Sequence, residues 1–351
     1  MKNKIAIASA FLAASSFSMG EIVVNEFLSF EGFVDSSYTH TSVEAEGIGE
    51  SDNTFGVDQV EIDWLFSFGN VSARVDLQYE EEDATSEVEQ AFVNYGLTNG
   101  DVVTAGRYQT MLGFEAVEPT GLYQFSTAYD VAGFDVTDEA SSYVQGVKYS
   151  RTTDTSFFGI SIQDQAFGAD NGRLGGDRGE ILNNAGNPNA AAGESNYGLE
   201  VATSRDLGNG FSVFAGVAFD KAEIGDNQLV NTYVTYETGA WLFAAELNLG
   251  ESERIGGNDI ELTAGLLMAN YAYSDVASWT ARVSQIKLEQ GANKADVVKY
   301  TVAHNYALSD NLLLVTEINH ANGDLDITED DVANSFDGDA TQVAVELLFT
   351  F

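Results

Sequence analysis

Cysteine is absent from the 351 residues. No disulfide staples the chain, so a small cross-linked exported scaffold is excluded, and stability must come from a large core or from a membrane. Proline occurs only at Pro119 and Pro188. Each proline deletes a ladder donor, so a chain with so few suits long, continuously hydrogen-bonded strands. Basic residues are scarce, 15 Lys and Arg against 55 Asp and Glu, for a formal net charge of −40. A nucleic-acid duplex repels such a surface, which argues against that class of partner, and the same balance suits a salt-adapted solvated surface. Long apolar runs are missing too. Beyond the first twenty residues nothing approaches the roughly 20 consecutive apolar residues of a spanning helix. A membrane could then be crossed only by a closed barrel, because open strand edges cannot be satisfied in hydrocarbon.

What is present begins with residues 1–20. A basic start at Lys2 and Lys4, an apolar run from Ile5 to Phe17, and small Ser18 and Gly20 ahead of Glu21 read as a secretory signal. Residues 21–351 are then expected to form one exported domain.

The chain's final stretch, Ala340 to Phe351, sets the pattern. Phe351, Phe349, Leu347, Val345 and Val343 alternate with Thr350, Leu348, Glu346, Ala344 and Gln342. Period two means a strand, and one apolar face ending on a terminal aromatic suits a wall with hydrocarbon outside and water inside. Similar segments recur from Phe27–Tyr38 and Phe55–Phe68 onward, among them Val71–Tyr79, where Val71, Ala73, Val75, Leu77 and Tyr79 alternate with Ser72, Arg74, Asp76 and Gln78. Short turns such as Gly69–Asn70 alternate with longer polar connections, of which His40–Asn53, Thr110–Ala140, Asp164–Glu194 and His320–Asp339 read as loops. The count is sixteen strands. An even number, with short turns at one end and long loops at the other, predicts an all-β, antiparallel transmembrane barrel with both termini on the periplasmic side. Aromatic residues sit beside nearly every short turn, at Phe68, Tyr95, Tyr149, Phe211, Tyr236, Trp241, Trp279, Tyr306 and Phe351. Rings with a polar tip favour the headgroup boundary, so these form the expected girdle.

With the signal, the sixteen strands, the terminal Phe351 and the V-V-T-A-G-R-Y run at Val102–Tyr108, the chain resembles the porin families of Gram-negative outer membranes. That run is similar to the V-T-L-G-R-Q run of general porins. The resemblance implies an outer-membrane location among lipid and lipopolysaccharide, a homotrimer, and a third long loop folded into the lumen. The third loop here is Thr110–Ala140. The family's P-E-F-G-G tip is missing, with Gly113, Phe114 and Glu115 as a partial echo.

Alternation assigns the lumen wall. Glu61, Asp63, Asp76, Glu200, Glu246, Glu261, Glu317 and Glu346 are among the acids expected to face inward, and Arg74, Arg107, Lys148, Arg282 and Lys299 are the bases. The third loop adds Glu115, Glu118, Asp130, Asp135, Asp138 and Glu139 with no basic residue of its own. Carboxylates around a water-filled bore favour cations. Cation preference is therefore expected, with the loop acids forming the constriction. Arg107, at the foot of the loop, either faces them or pairs with an acid such as Asp76 or Glu115.

No enzymatic constellation appears. His40 and His320 are read as loop residues and His304 as outward-facing, leaving no His beside a Ser nucleophile. The acidic run Asn322–Asp331 lacks the glycine and terminal Glu spacing of a calcium loop, so neither a cofactor nor a dedicated metal site is expected. A passive pore for ions and small hydrophilic solutes is the leading reading. The alternatives are a structural or adhesive barrel with a closed lumen, and a substrate-specific channel in which Phe114, Tyr123, Phe125 and Tyr129 form a slide for sugars.

Overall fold

A computed structural model describes residues 20–45, 47–80, 85–130, 143–163, 195–222, 225–253, 257–329 and 332–351. The signal at its first nineteen residues, the loop acids Asp135, Asp138 and Glu139, and the 164–194 connection lie outside the described residues. The strands are β1 Ile22–Val23, β2 Leu28–Ala45, β3 Ile48–Phe68, β4 Val71–Glu80, β5 Thr85–Gly96, β6 Val102–Gln109, β7 Tyr143–Thr153, β8 Ser156–Gln163, β9 Ser195–Gly208, β10 Phe211–Ala222, β11 Gly225–Thr238, β12 Trp241–Ser252, β13 Ile260–Ser274, β14 Ala277–Gln290, β15 Asn293–Ser309, β16 Leu312–Glu329 and β17 Val332–Thr350. From β2 to β17 each strand pairs antiparallel with its successor, and β17 returns to β2, setting Val343 opposite His40 and Thr350 opposite Phe33. The result is a closed sixteen-strand barrel, with β1 added to the start of β2.

The β17–β2 seam extends to the last residue. The Gly32 N–H donates to the Phe351 carbonyl at 2.9 Å, and the Phe351 N–H returns to the Gly32 carbonyl at 3.0 Å. A Cβ on Gly32 would lie 2.3 Å from the Glu61 carbonyl oxygen and 2.9 Å from Cζ of Phe351. Only glycine lets the terminal ring settle over the seam.

The alternation read from the sequence sorts the two faces of β17 as expected. Leu348, Glu346 and Ala344 are buried inside, while Phe349, Leu347, Val345 and Val343 are exposed outside. Val93, Ile162, Val217, Leu247, Leu267, Val302 and Ile318 continue the outer band around the barrel. Such a belt far exceeds what a monomeric soluble protein exposes, and it matches the lipid-facing band of an outer-membrane barrel. At the short-turn end the rings stack in pairs: Phe27 on Phe68 at 5.4 Å, Phe211 on Tyr236 at 4.2 Å, Trp241 on Tyr271 at 4.5 Å. His304 joins this girdle, 4.5 Å from Trp279 and hydrogen-bonded to the Tyr273 hydroxyl at 2.8 Å.

Two expected loops are strand. Segments His40–Asn53 and His320–Asp339 continue the ladders of β2–β3 and β16–β17 almost to their tips. These strands run 18 to 21 residues, about twice the roughly 9 to 11 needed to cross. Above the hydrocarbon a strand needs ladder hydrogen bonds but no apolar face, so polar composition there does not mean a loop. Side chains lace this tall wall together: Tyr38 to Asn53 at 2.8 Å, His320 to Thr341 at 2.8 Å, and Gln342 to Thr41 at 3.3 Å.

Replacing Gly32 with Val should force the Phe351 ring or the Glu61 carbonyl aside and destabilise the barrel by about 1–3 kcal/mol, the usual cost of overpacking. Thermal loss of strand circular dichroism in detergent measures this; an unchanged melting temperature would show that the seam tolerates a side chain there.

Candidate functional site in the barrel lumen

The V-V-T-A-G-R-Y run is β6, and its glycine has a physical reason. Gly106 sits at φ +132°, where a Cβ would lie 2.2 Å from the Ala91 carbonyl oxygen. Beyond it Tyr108 is buried inside, its hydroxyl 2.7 Å from Ser161 Oγ, with Lys148 Nζ 4.4 Å from its ring centre. From Thr110 the chain turns into the lumen and crosses the inner face of β9–β17.

A loop folded inside a barrel has no ladder partners for its backbone, so the wall must supply them. Glu200 accepts from Thr110 Oγ1 at 3.0 Å and from the Met111 N–H. Glu246 takes the Phe114 N–H and the Tyr129 hydroxyl, both at 2.8 Å. Burial, reinforced by the Glu246 carboxylate, pushes the Tyr129 hydroxyl far above its ordinary pKa, so it stays a donor. Glu317 accepts from the N–H groups of Phe125 (2.9 Å) and Ser126 (3.1 Å), and from Ser126 Oγ at 2.6 Å. The loop carbonyls are met by donors of β14 and β15. Thr280 and Asn305 reach Tyr123 O, Arg282 and Lys299 reach Thr127 O, and Lys299 also reaches Asp130 O. The bonds from Arg282 and Lys299 are charge-assisted, and such bonds are roughly twice as strong as neutral ones.

The base that meets Glu115 is Arg282. Glu115 pairs with Arg282, Nη1 to Oε1 at 2.5 Å, and its other oxygen accepts the Ala128 N–H at 2.6 Å. Arg107 instead donates from Nε to the Glu89 carbonyl at 2.9 Å and lies 5.9 Å from the centre of the Tyr143 ring. Its place in the ladder, opposite Ala91 and Gln145, is out of phase with the buried inner residues Thr104 and Tyr108.

Beneath the loop the wall is apolar inside. Phe114, Tyr123 and Tyr129 pack with Leu242, Leu262, Leu266, Met268, Ile286 and Val297. Each large side chain so buried contributes roughly 1.5–3 kcal/mol. These three of the four rings in the alternative reading of a slide for sugars are buried seats for the loop, while the fourth, Phe125, is partly buried against Phe33, Leu313, Val315 and Leu348. The same packing reverses the expectation for Glu261. Ile260, Leu262 and Ala264 take the inner face of β13, so Glu261 is exposed outside.

The opposite wall, β2 to β5, is acidic. Arg74 binds Asp76 at 2.7 Å and Asp63 at 2.8 Å, lies 3.4 Å from Glu31, and reaches 4.0 Å from Glu61. The loop returns to this wall at Glu118, the residue before the short 3₁₀ turn Pro119–Gly121. Gln59 Nε2 sits 3.2 Å from both Glu118 and Glu61, and the Tyr143 hydroxyl also donates to Glu118. The structure thus gathers Arg74, Glu61, Asp63, Asp76 and Glu118 into one cluster, and Glu115, Arg282, Lys299 and Glu317 into another. Asp130 leaves its side chain exposed. Glu89, which the sequence reading did not single out, belongs to the first cluster.

A closed antiparallel barrel with a lipid-facing belt, an aromatic girdle and a loop folded into a charged lumen has the architecture of an outer-membrane porin. The chain belongs to the family described as "Putative beta-barrel porin-2, OmpL-like", which it matches over residues 28–351. It is similar in structure to OmpT of Vibrio cholerae (TM-score 0.65, 13% identity, 94% of this chain and 100% of that one). It is also similar to an anion-selective porin from Comamonas acidovorans (0.64, 13%, 92% and 99%) and to the outer-membrane channel DcaP of Acinetobacter baumannii (0.63, 11%, 92% and 97%). At such identities the likeness is one of fold. No curated protein matches the chain by sequence.

Replacing Arg282 with Met should leave Glu115 almost buried without its cation and destabilise the loop seat by about 3–5 kcal/mol, as for other broken buried pairs. Limited proteolysis within residues 110–130 reads the release; resistance equal to the parent's would mean the other anchors suffice.

Proposed function

We propose that the chain is a passive outer-membrane channel for ions and small hydrophilic solutes, with a preference for cations. One observation carries the preference. The bases of the β14–β15 wall, Arg282 and Lys299, are buried and engaged by the loop, whereas on the acidic wall Arg74 is the sole Lys or Arg between Lys4 and Arg107. Charge left facing the bore is therefore negative. Two unit charges 4 Å apart interact by about 1 kcal/mol in bulk water and about 4 kcal/mol at an effective dielectric constant of 20. A cation passing several such carboxylates is favoured by more than thermal energy, and an anion is disfavoured by a similar amount.

Half-buried Glu31, Arg74 and Glu118, together with the loop backbone at 116–121, border the remaining passage in this reading. Fold alone does not set selectivity, since one similar structure is an anion-selective porin. Assembly as a homotrimer is part of the same proposal and is supported by the trimer form recorded for the Vibrio cholerae protein. The sequence-level signal at residues 1–20 supports export to the outer membrane.

In planar bilayers under a KCl gradient, the reversal potential should show K⁺ favoured over Cl⁻. Glu31→Gln and Glu118→Gln should each reduce that ratio, most clearly at low salt where screening is weakest. Anion preference in the parent chain would overturn the charge argument, and the absence of conductance would overturn the channel.

A further inference from the structure

We propose that Glu61, Glu89 and Glu118 hold a single calcium ion that fastens the third loop to the β3–β5 wall. Glu61 comes from β3, Glu89 from β5, and Glu118 from the loop. One carboxylate oxygen from each lies within 4.8 Å of the other two. Glu61 and Glu89 are 1% and 5% exposed, so solvent does little to screen their charges.

The cluster holds more negative charge than its surroundings answer. Arg74, the cation at hand, is drawn to Asp76 and Asp63 at 2.7 and 2.8 Å and stays 4.0 Å from Glu61. Independently of that imbalance, Glu89 Oε2 is buried with no hydrogen-bond partner among the described residues, and so is Oδ1 of the adjoining Asp63. A buried carboxylate oxygen with nothing to accept from is costly, and a bound cation is the group that satisfies it.

The donor set selects the ion. All three donors are carboxylate oxygens, which suit hard cations and not the softer metals that prefer imidazole or thiolate. His40, His304 and His320 lie elsewhere, and there is no cysteine. Calcium accepts six to eight oxygens in irregular geometry, whereas magnesium demands a near-ideal octahedron and keeps several waters. A crowded, largely dry cluster joining two strands and a loop fits calcium better.

The ion has a mechanical role that the rest of the lumen leaves open. Along β9–β17 the loop is held through its backbone by Glu200, Glu246 and Glu317. At the β3–β5 wall it is met through the side chain of Glu118. A cation shared by Glu61, Glu89 and Glu118 supplies a fastening there, whether or not the barrel conducts.

The full chain, folded in detergent and stripped with chelator, tests this by terbium luminescence excited through tyrosine, since Tyr143 touches Glu118. Calcium displaces the terbium, and calorimetry measures calcium directly. One saturable site is expected, with magnesium binding at least about tenfold more weakly. Glu89→Gln and Glu118→Gln should each weaken binding by about tenfold or more, while Glu251→Gln, half-buried on β12 outside the cluster, should leave it unchanged. Titrations identical in parent, E89Q and E118Q would show only diffuse binding to an acidic surface and overturn the site. Equal affinity for magnesium would overturn the assignment to calcium. Should E89Q fail to fold by circular dichroism, E118Q decides alone, because Glu118 lies outside the sheet ladder.

Discussion

In hydrocarbon an unpaired backbone N–H or C=O has no water to turn to, and the rest of this molecule follows from that requirement. The sheet must close, and it does so where β17 meets β2, with the Phe351 and Gly32 amides exchanging hydrogen bonds at the very end of the chain. Closure fixes which side chains face lipid and which face the lumen. It also creates a second problem. A loop that enters the barrel carries backbone groups that no neighbouring strand can satisfy, and the inner wall becomes its hydrogen-bonding partner through Glu200, Glu246 and Glu317 on one side of the bond and Arg282, Lys299, Thr280 and Asn305 on the other.

One residue type therefore serves different ends in one cavity. A glutamate facing a loop N–H is an anchor, Glu115 beside Arg282 is half of a buried pair, and Glu89 is a buried carboxyl whose Oε2 has no hydrogen-bond partner among the described residues. Composition alone cannot separate these uses, because each depends on what the third loop brings to that position.

Much of the fold was legible in the sequence because alternation is local. All sixteen barrel strands, the outward face of β17 and the aromatic girdle follow from spacing within a dozen residues. Features that depend on distant segments were not. Glu115 and Arg282 lie 167 residues apart, and nothing in spacing announces their contact, whereas Arg107, adjacent to the loop in sequence, was the nearer guess. Glu261 was misplaced because the rule "polar inside" fails where a loop covers the wall and makes the inner face of β13 apolar. The strand extensions past His40 and His320 were missed because polar residues on both faces give no periodic signal once the hydrocarbon is left behind.

The lumen is consequently asymmetric in a way the charge count hides. On the β9–β17 side Glu200, Glu246 and Glu317 are taken up by loop donors, and Arg282 and Lys299 are taken up by Glu115 and loop carbonyls. On the β2–β5 side the chain carries Arg74 as its one basic residue against Glu31, Glu61, Asp63, Asp76 and Glu89. In the proposed reading this wall supplies electrostatic discrimination, and its strength depends on how closely the loop residue Glu118 is held against it. Loop position and the proposed ion preference then both depend on one contact, between residues that a chain length of about fifty-seven positions separates (Glu61 to Glu118) and that the barrel alone brings together.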